Sequence, residues 1–375
     1  LHAVRPGYIQ RPADSLLFDT IVAGNYANVI APGRTGKTSL IAATSARLQN
    51  NGFKVAVLDL EQISERDGDS DAGRWYYSIA YRLSRQLRLK TDLHTWWQDH
   101  SILSNRQRLV EFYAQIVLQN IPERIVIFID EIQCVADLSF AEDLLASVRA
   151  AHNARATEPE FNRLSFVIVG ECDQQGLVGD PQLSPFPVAT EVRLGDFSRN
   201  DLDVFANELN LSNADAARAL DRVYHWTRGQ PYLSQKLCRA ISREQLEGDI
   251  DEDVDRLAIH RLGGRAAISS EPHMSHLHRA VMKDRKNYES MLTTFGKVRK
   301  GMQVEYDPDS PRHRQLLALG LLVPDQKGML RIRNRLYESV FTARWANENL
   351  PLHWRGPAIA ALLVIALTAI PFTYT

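Results

Sequence analysis

The sequence is poor in cysteine, in excess charge and in repeats, and each absence removes a class of protein. Three cysteines far apart among 375 residues give neither a disulfide framework nor a zinc-site spacing, and they favour a reducing compartment. The net charge of −1 gives no overall attraction to nucleic acid. No internal repeat or low-complexity tract is visible, so we expect an ordinary globular chain of two or three domains.

The segment APGRTGKT, residues 31–38, predicts a phosphate-binding loop. A strand candidate precedes it and a helix candidate follows it, an order that points backbone N–H groups and the helix dipole at a phosphate. The consensus is G-x-x-x-x-G-K-[ST], and Ala31 replaces its first glycine. The alternative is a simple glycine turn before a helix. The predicted nucleotide-binding residues are Pro32, Gly33, Arg34, Thr35, Gly36, Lys37, Thr38 and Ser39.

Two acids follow an apolar run, 125–129, that is typical of a strand covered on both faces. Acids at the carboxyl end of a parallel strand lie in the crevice where such sheets bind ligands. Asp130 and the Thr38 hydroxyl are therefore the predicted Mg²⁺ ligands. Glu131 is the predicted catalytic base for the attacking water, and Lys37 is expected to contact the β- and γ-phosphates of ATP or ADP.

Strand and helix candidates alternate up to Phe197, which predicts an α/β fold with a parallel sheet and right-handed crossovers. The pattern then becomes helical, as expected for a lid beside a nucleotide. In Gly229-Gln230-Pro231 a proline enters a helix at its first position, where its ring is free to pack on adenine. The predicted domains are a P-loop nucleotide-binding domain at 1–197, a helical lid at 198–272 and a winged helix at 273–350.

The winged-helix prediction rests on two helices followed by a ribbon of strands at 316–323 and 329–333. Residues 276–345 carry 14 Lys and Arg against 7 Asp and Glu, a net charge of +7. This basic excess is compatible with DNA binding. The alternative is a surface that faces the nucleotide domain of the same chain, in which case the ribbon arginines turn inward. Those arginines are Arg331, Arg333 and Arg335.

The segment 356–375 carries no charge, and an aromatic and basic flank, His353-Trp354-Arg355, precedes it. A membrane-spanning helix needs roughly 20 apolar residues, so this segment predicts a transmembrane helix, with a buried core helix as the alternative. We expect the chain to be a fragment of a longer protein in the bacterial inner membrane. Its nucleotide-binding domain is then expected in the cytoplasm, where nucleotide is available.

Five segments together resemble the bacterial AAA-like domains of STAND signalling NTPases, over about residues 5–350. They are YIQRPAD at 8–14, FIDE at 128–131, SPFP at 184–187, WTRGQP at 226–231 and NRLYESVF at 334–341. The resemblance implies that Pro231 packs near the base. It also implies that a polar sensor falls at Glu171 or Cys172, and that Asn334-Arg335 corresponds to the family's phosphate-reading His-Asp pair.

The resemblance implies a molecular switch that ADP holds closed and that ATP opens for homo-oligomerisation, coupled to effector or sensor domains elsewhere. In this interpretation ATP hydrolysis is slow and regulatory, and nucleic acid is not a partner. The alternative function is a DNA-binding ATPase of the initiator or transposition-helper type that acts through the basic winged helix. A metabolic kinase fits poorly because no acceptor-substrate pocket is visible.

Overall fold

The structure is a computed structural model that describes residues 8–63, 71–136, 138, 140, 142–171, 182–244, 246, 248–284 and 286–351. Its centre is a sheet of five parallel strands. The strands are β1 Tyr26–Ile30, β2 Lys54–Asp59, β3 Ile125–Asp130, β4 Leu164–Gly170 and β5 Ala189–Arg193. Their order is β2-β3-β4-β1-β5, so the strand that leads into the phosphate-binding loop has a neighbour on either side. The predicted α/β fold with a parallel sheet is confirmed.

Helices cover both faces of this sheet. They are α1 Pro12–Val22, α2 Lys37–Asn50, α3 Ala72–Leu87, α4 Leu93–Asp99, α5 Asn105–Glu111 and α6 Glu142–Ala154, and a π-helical segment, Phe112–Leu118, continues α5. Alternate residues of β3 belong to different cores. Val126 and Phe128 pack with α1 and α2, whereas Ile127 and Ile129 pack with α3, α5 and α6. Burial on both faces explains the uninterrupted apolar run of this strand.

The remainder of the described chain is mostly helical. Its elements are a 3₁₀ segment Asn200–Glu208, α7 Asn213–Thr227, α8 Pro231–Ile241, α9 Ile250–Leu262, α10 Ala267–Ser270, α11 Pro272–Lys283, α12 Tyr288–Arg299, α13 Pro311–Ala318, β6 Leu322–Pro324, β7 Leu330–Ile332, α14 Arg335–Val340 and α15 Ala343–Glu348. One hydrophobic cluster joins Leu220 of α7 with Leu292 of α12 and Trp345 of α15. The predicted boundary at 272 and 273 therefore lies within a continuous core, and the domain limits stay predictions.

The C-terminal ribbon is shorter than expected. β6 and β7 pair antiparallel over three residues each, and the predicted first strand at 316–323 is largely wrong. Residues 316–318 belong to α13, because Pro311 opens a helix that ends at Ala318, and the backbone then turns left-handed at Gly320 with φ of +69°. The ribbon is compatible with a winged helix, and that assignment stays a prediction.

The longest helix in the described ranges is α3, which has 16 residues. Its buried residues recur at helical spacing, Trp75, Ile79 and Leu83 among them, while Arg85 on the same helix is exposed. Among the residues that the structure describes, no helix combines the length and the apolar character required to cross a bilayer. The predicted transmembrane segment, 356–375, lies outside the described residues.

Candidate nucleotide site

The predicted phosphate-binding loop connects β1 to α2, as the sequence indicates. Gly36 caps α2 with φ of +96°, a left-handed conformation that glycine adopts without steric cost. Lys37 is the first residue of α2 and is buried, whereas Thr38 and Ser39 are exposed. The first N–H groups of a helix have no intrahelical acceptor, so this helix end offers donors to an anion.

Two side chains, those of Thr35 and Arg11, donate hydrogen bonds to backbone carbonyl groups of the loop. Thr35 is fully buried, and its hydroxyl donates to the Pro32 carbonyl over 2.7 Å. Arg11, at the start of α1, donates through Nη1 to the carbonyl oxygens of Thr35 at 2.8 Å and Gly195 at 3.1 Å. Sequence reasoning missed this role of Arg11, although the residue lies in one of the segments that carry the family resemblance. Nothing in the sequence indicates that Arg11 contacts Thr35, which lies 24 residues later in the chain.

Lys37 turns its ammonium group back across the loop. The Nζ atom donates to the carbonyl oxygens of Ala31 at 3.0 Å and Pro32 at 3.3 Å, and it lies 3.1 Å from Oε1 of Glu171. Glu171 follows the last residue of β4, one of the two positions expected for a polar sensor. The other expected position, Cys172, lies outside the described residues. The contact between Lys37 and Glu171 was not predicted.

Asp130 and Glu131 lie where the sequence places them, at the carboxyl end of β3. Asp130 is 5% exposed, and one of its carboxylate oxygens accepts the Glu131 N–H at 2.9 Å. Burial raises the pKa of Asp130 to about 6, and the neighbouring Glu131 charge adds to this rise. Burial raises the pKa of both carboxyl groups, and the nearby Lys37 charge opposes part of this rise in each, so the loop lysine lies close to the acid pair.

Glu131 has a left-handed backbone, with φ of +56°, which is costly for a residue with a side chain and is concentrated at functional sites in proteins. Burial is also the largest cause that raises the pKa of its carboxyl group. The Gln133 side chain donates to this carboxylate through Nε2 and accepts the Glu171 N–H through Oε1 at 3.1 Å. Gln133 thus links the ends of β3 and β4, a role that its sequence position did not reveal.

The helical module that follows the sheet, residues 198–272, touches the loop next to Arg34. The Gln230 side chain donates to the Arg34 carbonyl over 3.2 Å, and the Arg34 guanidinium lies 4.5 Å from the centre of the Tyr232 ring. Pro231 between them is the first residue of α8 and is buried. The structure therefore places the predicted base-packing proline beside the loop, and its contact with adenine stays a prediction.

The C-terminal module, residues 273–350, contacts the same loop at Gly320 and is attached to the segment after β5 by Arg333. Its guanidinium binds both carboxylate oxygens of Asp196, at 2.8 Å and 2.5 Å, and Arg333 is 5% exposed. A methyl group on Gly320 would lie 2.7 Å from Pro32, so the two chain segments are in close contact there. Of the three ribbon arginines, Arg333 alone is buried, while Arg331 and Arg335 are exposed. Asn334 caps α14 by accepting the Tyr337 N–H at 2.9 Å.

The donor set fits Mg²⁺ bound together with a phosphate. The hydroxyl of Thr38 and the carboxylate of Asp130 are the hard oxygen ligands that this ion prefers. Within the described part of the chain, no group of three or more His, Cys, Asp or Glu residues could hold a metal. Mg²⁺ commonly relies on water and substrate phosphates rather than on a protein cage, so a set of two protein ligands is compatible with this ion.

The fold and the loop define a protein of the P-loop ATPase type. The chain belongs to the family described as the AAA-like domain, whose profile matches residues 2–343. A Walker-type ATPase of Pyrococcus abyssi has a similar structure, with a TM-score of 0.57 and 15% sequence identity. The similarity covers 90% of this chain and 96% of that one. At this identity the similarity concerns the fold alone.

A curated relative is an uncharacterised WD repeat-containing protein of Synechocystis sp., 30% identical over 362 residues. The alignment covers 93% of this chain and 30% of the relative, so the chain spans less than a third of that protein. The predicted location at a bacterial inner membrane is wrong by these findings. The relative is described by its WD repeats, and no helix of the described residues has the roughly 20 apolar residues that a membrane span requires.

Proposed function

We propose that the chain binds and slowly hydrolyses ATP and acts as a STAND-type switch, closed with ADP and open and oligomerising with ATP. One observation carries the proposal. Both modules that follow the sheet contact the phosphate-binding loop, through Tyr232 on Arg34 and through Gly320 on Pro32. A nucleotide bound at this loop would therefore act directly on the contacts that hold the modules in place.

The proposed chemistry uses four side chains. Lys37 binds the β- and γ-phosphates, and Thr38 and Asp130 hold the Mg²⁺ that neutralises their charge. Glu131 orients a water molecule in line with the γ-phosphorus and accepts its proton. The raised pKa of Glu131 fits this role, because burial makes the carboxylate a stronger base than a solvated one.

The relative adds a proposal about partners. Its description names WD repeats, and this chain matches 30% of its length. We infer that the switch works beside a repeat-bearing sensor, and that the sensor sets the balance between the closed and open states. Self-association in the ATP state is part of the same proposal. The burial of Arg333 against Asp196 removes one of the ribbon arginines from any DNA-binding surface, which favours the switch over the DNA-binding ATPase.

Hydrogen exchange tests the switch. The amides of residues 320–333 should exchange slowly with Mg-ADP and at least several-fold faster with a non-hydrolysable ATP analogue, because opening separates the C-terminal module from the loop. The amides of α7 and α9, which pack on each other, serve as the internal control. Equal exchange of 320–333 in both nucleotides, with binding of each verified separately, would refute the switch.

A further inference from the structure

Glu171 lies against the phosphate-binding loop in a way that the proposed reaction does not require. Its Oε1 atom is 3.1 Å from Lys37 Nζ, and a methyl group on Gly33 would lie 2.6 Å from the same oxygen. The carboxylate therefore touches the loop backbone where Gly33 has no side chain. The side chain of Lys37 is 5% exposed and that of Glu171 is 22% exposed, so solvent only partly screens the pair.

The ammonium group of Lys37 is saturated in this arrangement. A lysine has three N–H donors, and the three acceptors within reach are the carbonyl oxygens of Ala31 and Pro32 and the carboxylate of Glu171. A phosphate can gain a hydrogen bond from Lys37 only if one of these acceptors gives way. The two carbonyl groups belong to the loop backbone, whereas Glu171 can withdraw by rotating its side chain.

The site already contains more negative than positive charge near Lys37. Gln133 donates to the Glu131 carboxylate and accepts the Glu171 N–H, so one side chain connects the two acidic residues. Asp130 adds a third carboxyl group next to Glu131. A bound triphosphate brings additional negative charge to Lys37, and a Glu171 carboxylate that stays in place repels it. A diphosphate meets less of this repulsion because it lacks the γ-phosphate.

We propose that Glu171 is a specificity-determining residue that competes with nucleotide phosphates for Lys37 and disfavours ATP more than ADP. This inference rests on the proposed function and adds a regulatory element to it. With Glu171 on Lys37, the resting chain favours the ADP-bound closed state. ATP binding then requires that Glu171 leaves the loop, which raises the threshold for opening the switch.

The test is calorimetry of Mg-ATP and Mg-ADP binding to the full chain carrying Glu171→Gln. The amide keeps the size of the side chain and an oxygen acceptor for Lys37 but removes the charge. We expect the affinity for ATP to rise about tenfold, the scale of one charge-assisted hydrogen bond after partial screening, and the affinity for ADP to rise less. Glu160→Gln makes the same change at an exposed site and should leave both affinities unchanged.

Each outcome has a defined meaning. Unchanged or weaker ATP binding by Glu171→Gln, while the wild type binds and Lys37→Ala does not, overturns the role of Glu171 and leaves the proposed function intact. An equal gain for ATP and ADP overturns the discrimination between them. If neither the wild type nor Glu171→Gln binds nucleotide, both proposals fail. If Glu171→Gln lowers the melting temperature, Glu171→Asp provides the second variant, because a shortened carboxylate should still relax the competition for Lys37.

Discussion

The ion pair between Asp196 and Arg333 should be the strongest polar connection between the C-terminal module and the sheet domain. It joins residues 137 positions apart in the sequence, with two hydrogen bonds to a guanidinium that is almost fully buried. The Nη1 atom of the same guanidinium is buried without a hydrogen-bond partner in the described part of the chain. Removal of the carboxylate therefore leaves a buried charge without compensation, which is the costly way to break such a pair.

We expect Asp196→Asn to lower the free energy of unfolding by about 3 kcal/mol, the lower end of the range for buried pairs. The lower end applies because the Asp196 side chain is 23% exposed and keeps some contact with water. Arg333→Met should have a smaller effect, since the carboxylate that it leaves can be solvated. The double variant should be less destabilised than the sum of the two single variants. Once one side chain of the pair has been replaced, replacement of the other no longer breaks their interaction.

Urea unfolding followed by tryptophan fluorescence measures these differences, and Arg331→Ala is the matched control. Arg331 is an exposed arginine on the same ribbon, so its removal should change stability by no more than about 0.5 kcal/mol. The reasoning is refuted if Asp196→Asn is as mild as this control. Strictly additive effects of the two single variants would also refute it, since they would mean that the two side chains do not interact.

Two further predictions concern catalysis and pH. Glu131→Gln should keep its ATP affinity and lose turnover, because the amide cannot accept the proton of the attacking water. Calorimetry measures the affinity and steady-state hydrolysis measures the turnover. Glu123→Gln, which changes a partly exposed glutamate, is the control. Burial lowers the pKa of His273 to about 3, so its neutral form stabilises the fold above pH 6.5 and this contribution is lost as the pH falls. Between pH 7 and pH 5 the loss should reach about 2 kcal/mol in urea unfolding, and His273→Gln should abolish that part of the pH dependence.

The sequence predicted the sheet and the ends of its strands because both depend on local signals. The apolar run of β3 is buried on both faces, and the glycines of the loop occur where the backbone must turn into α2. Lys37, Asp130 and Glu131 were predicted as site residues for the same reason, since each lies at a fixed offset from the end of a strand. The signal for α13 was ambiguous, because an apolar run of that length suits a short helix as well as a strand.

The contacts between distant segments could not be predicted from one sequence. Lys37 and Glu171 are 134 residues apart, and nothing near either residue specifies the other. Arg11 on the loop and Arg333 on Asp196 are similar cases, in which an ordinary arginine gains its role from the packing of separate elements. The predicted membrane location failed for a related reason. It extrapolated from the composition of one terminal segment to the placement of the whole chain.

Nucleotide binding through Lys37 is the central claim, and calorimetry of Mg-ATP and Mg-ADP with the wild type and Lys37→Ala tests it most directly. Lys37→Ala should lose at least about 2 kcal/mol of binding free energy, roughly thirtyfold in affinity, because it removes the cation that meets the β- and γ-phosphates. Lys54→Ala, which removes an exposed lysine of β2, should bind like the wild type. Equal binding by the wild type and Lys37→Ala would contradict the account.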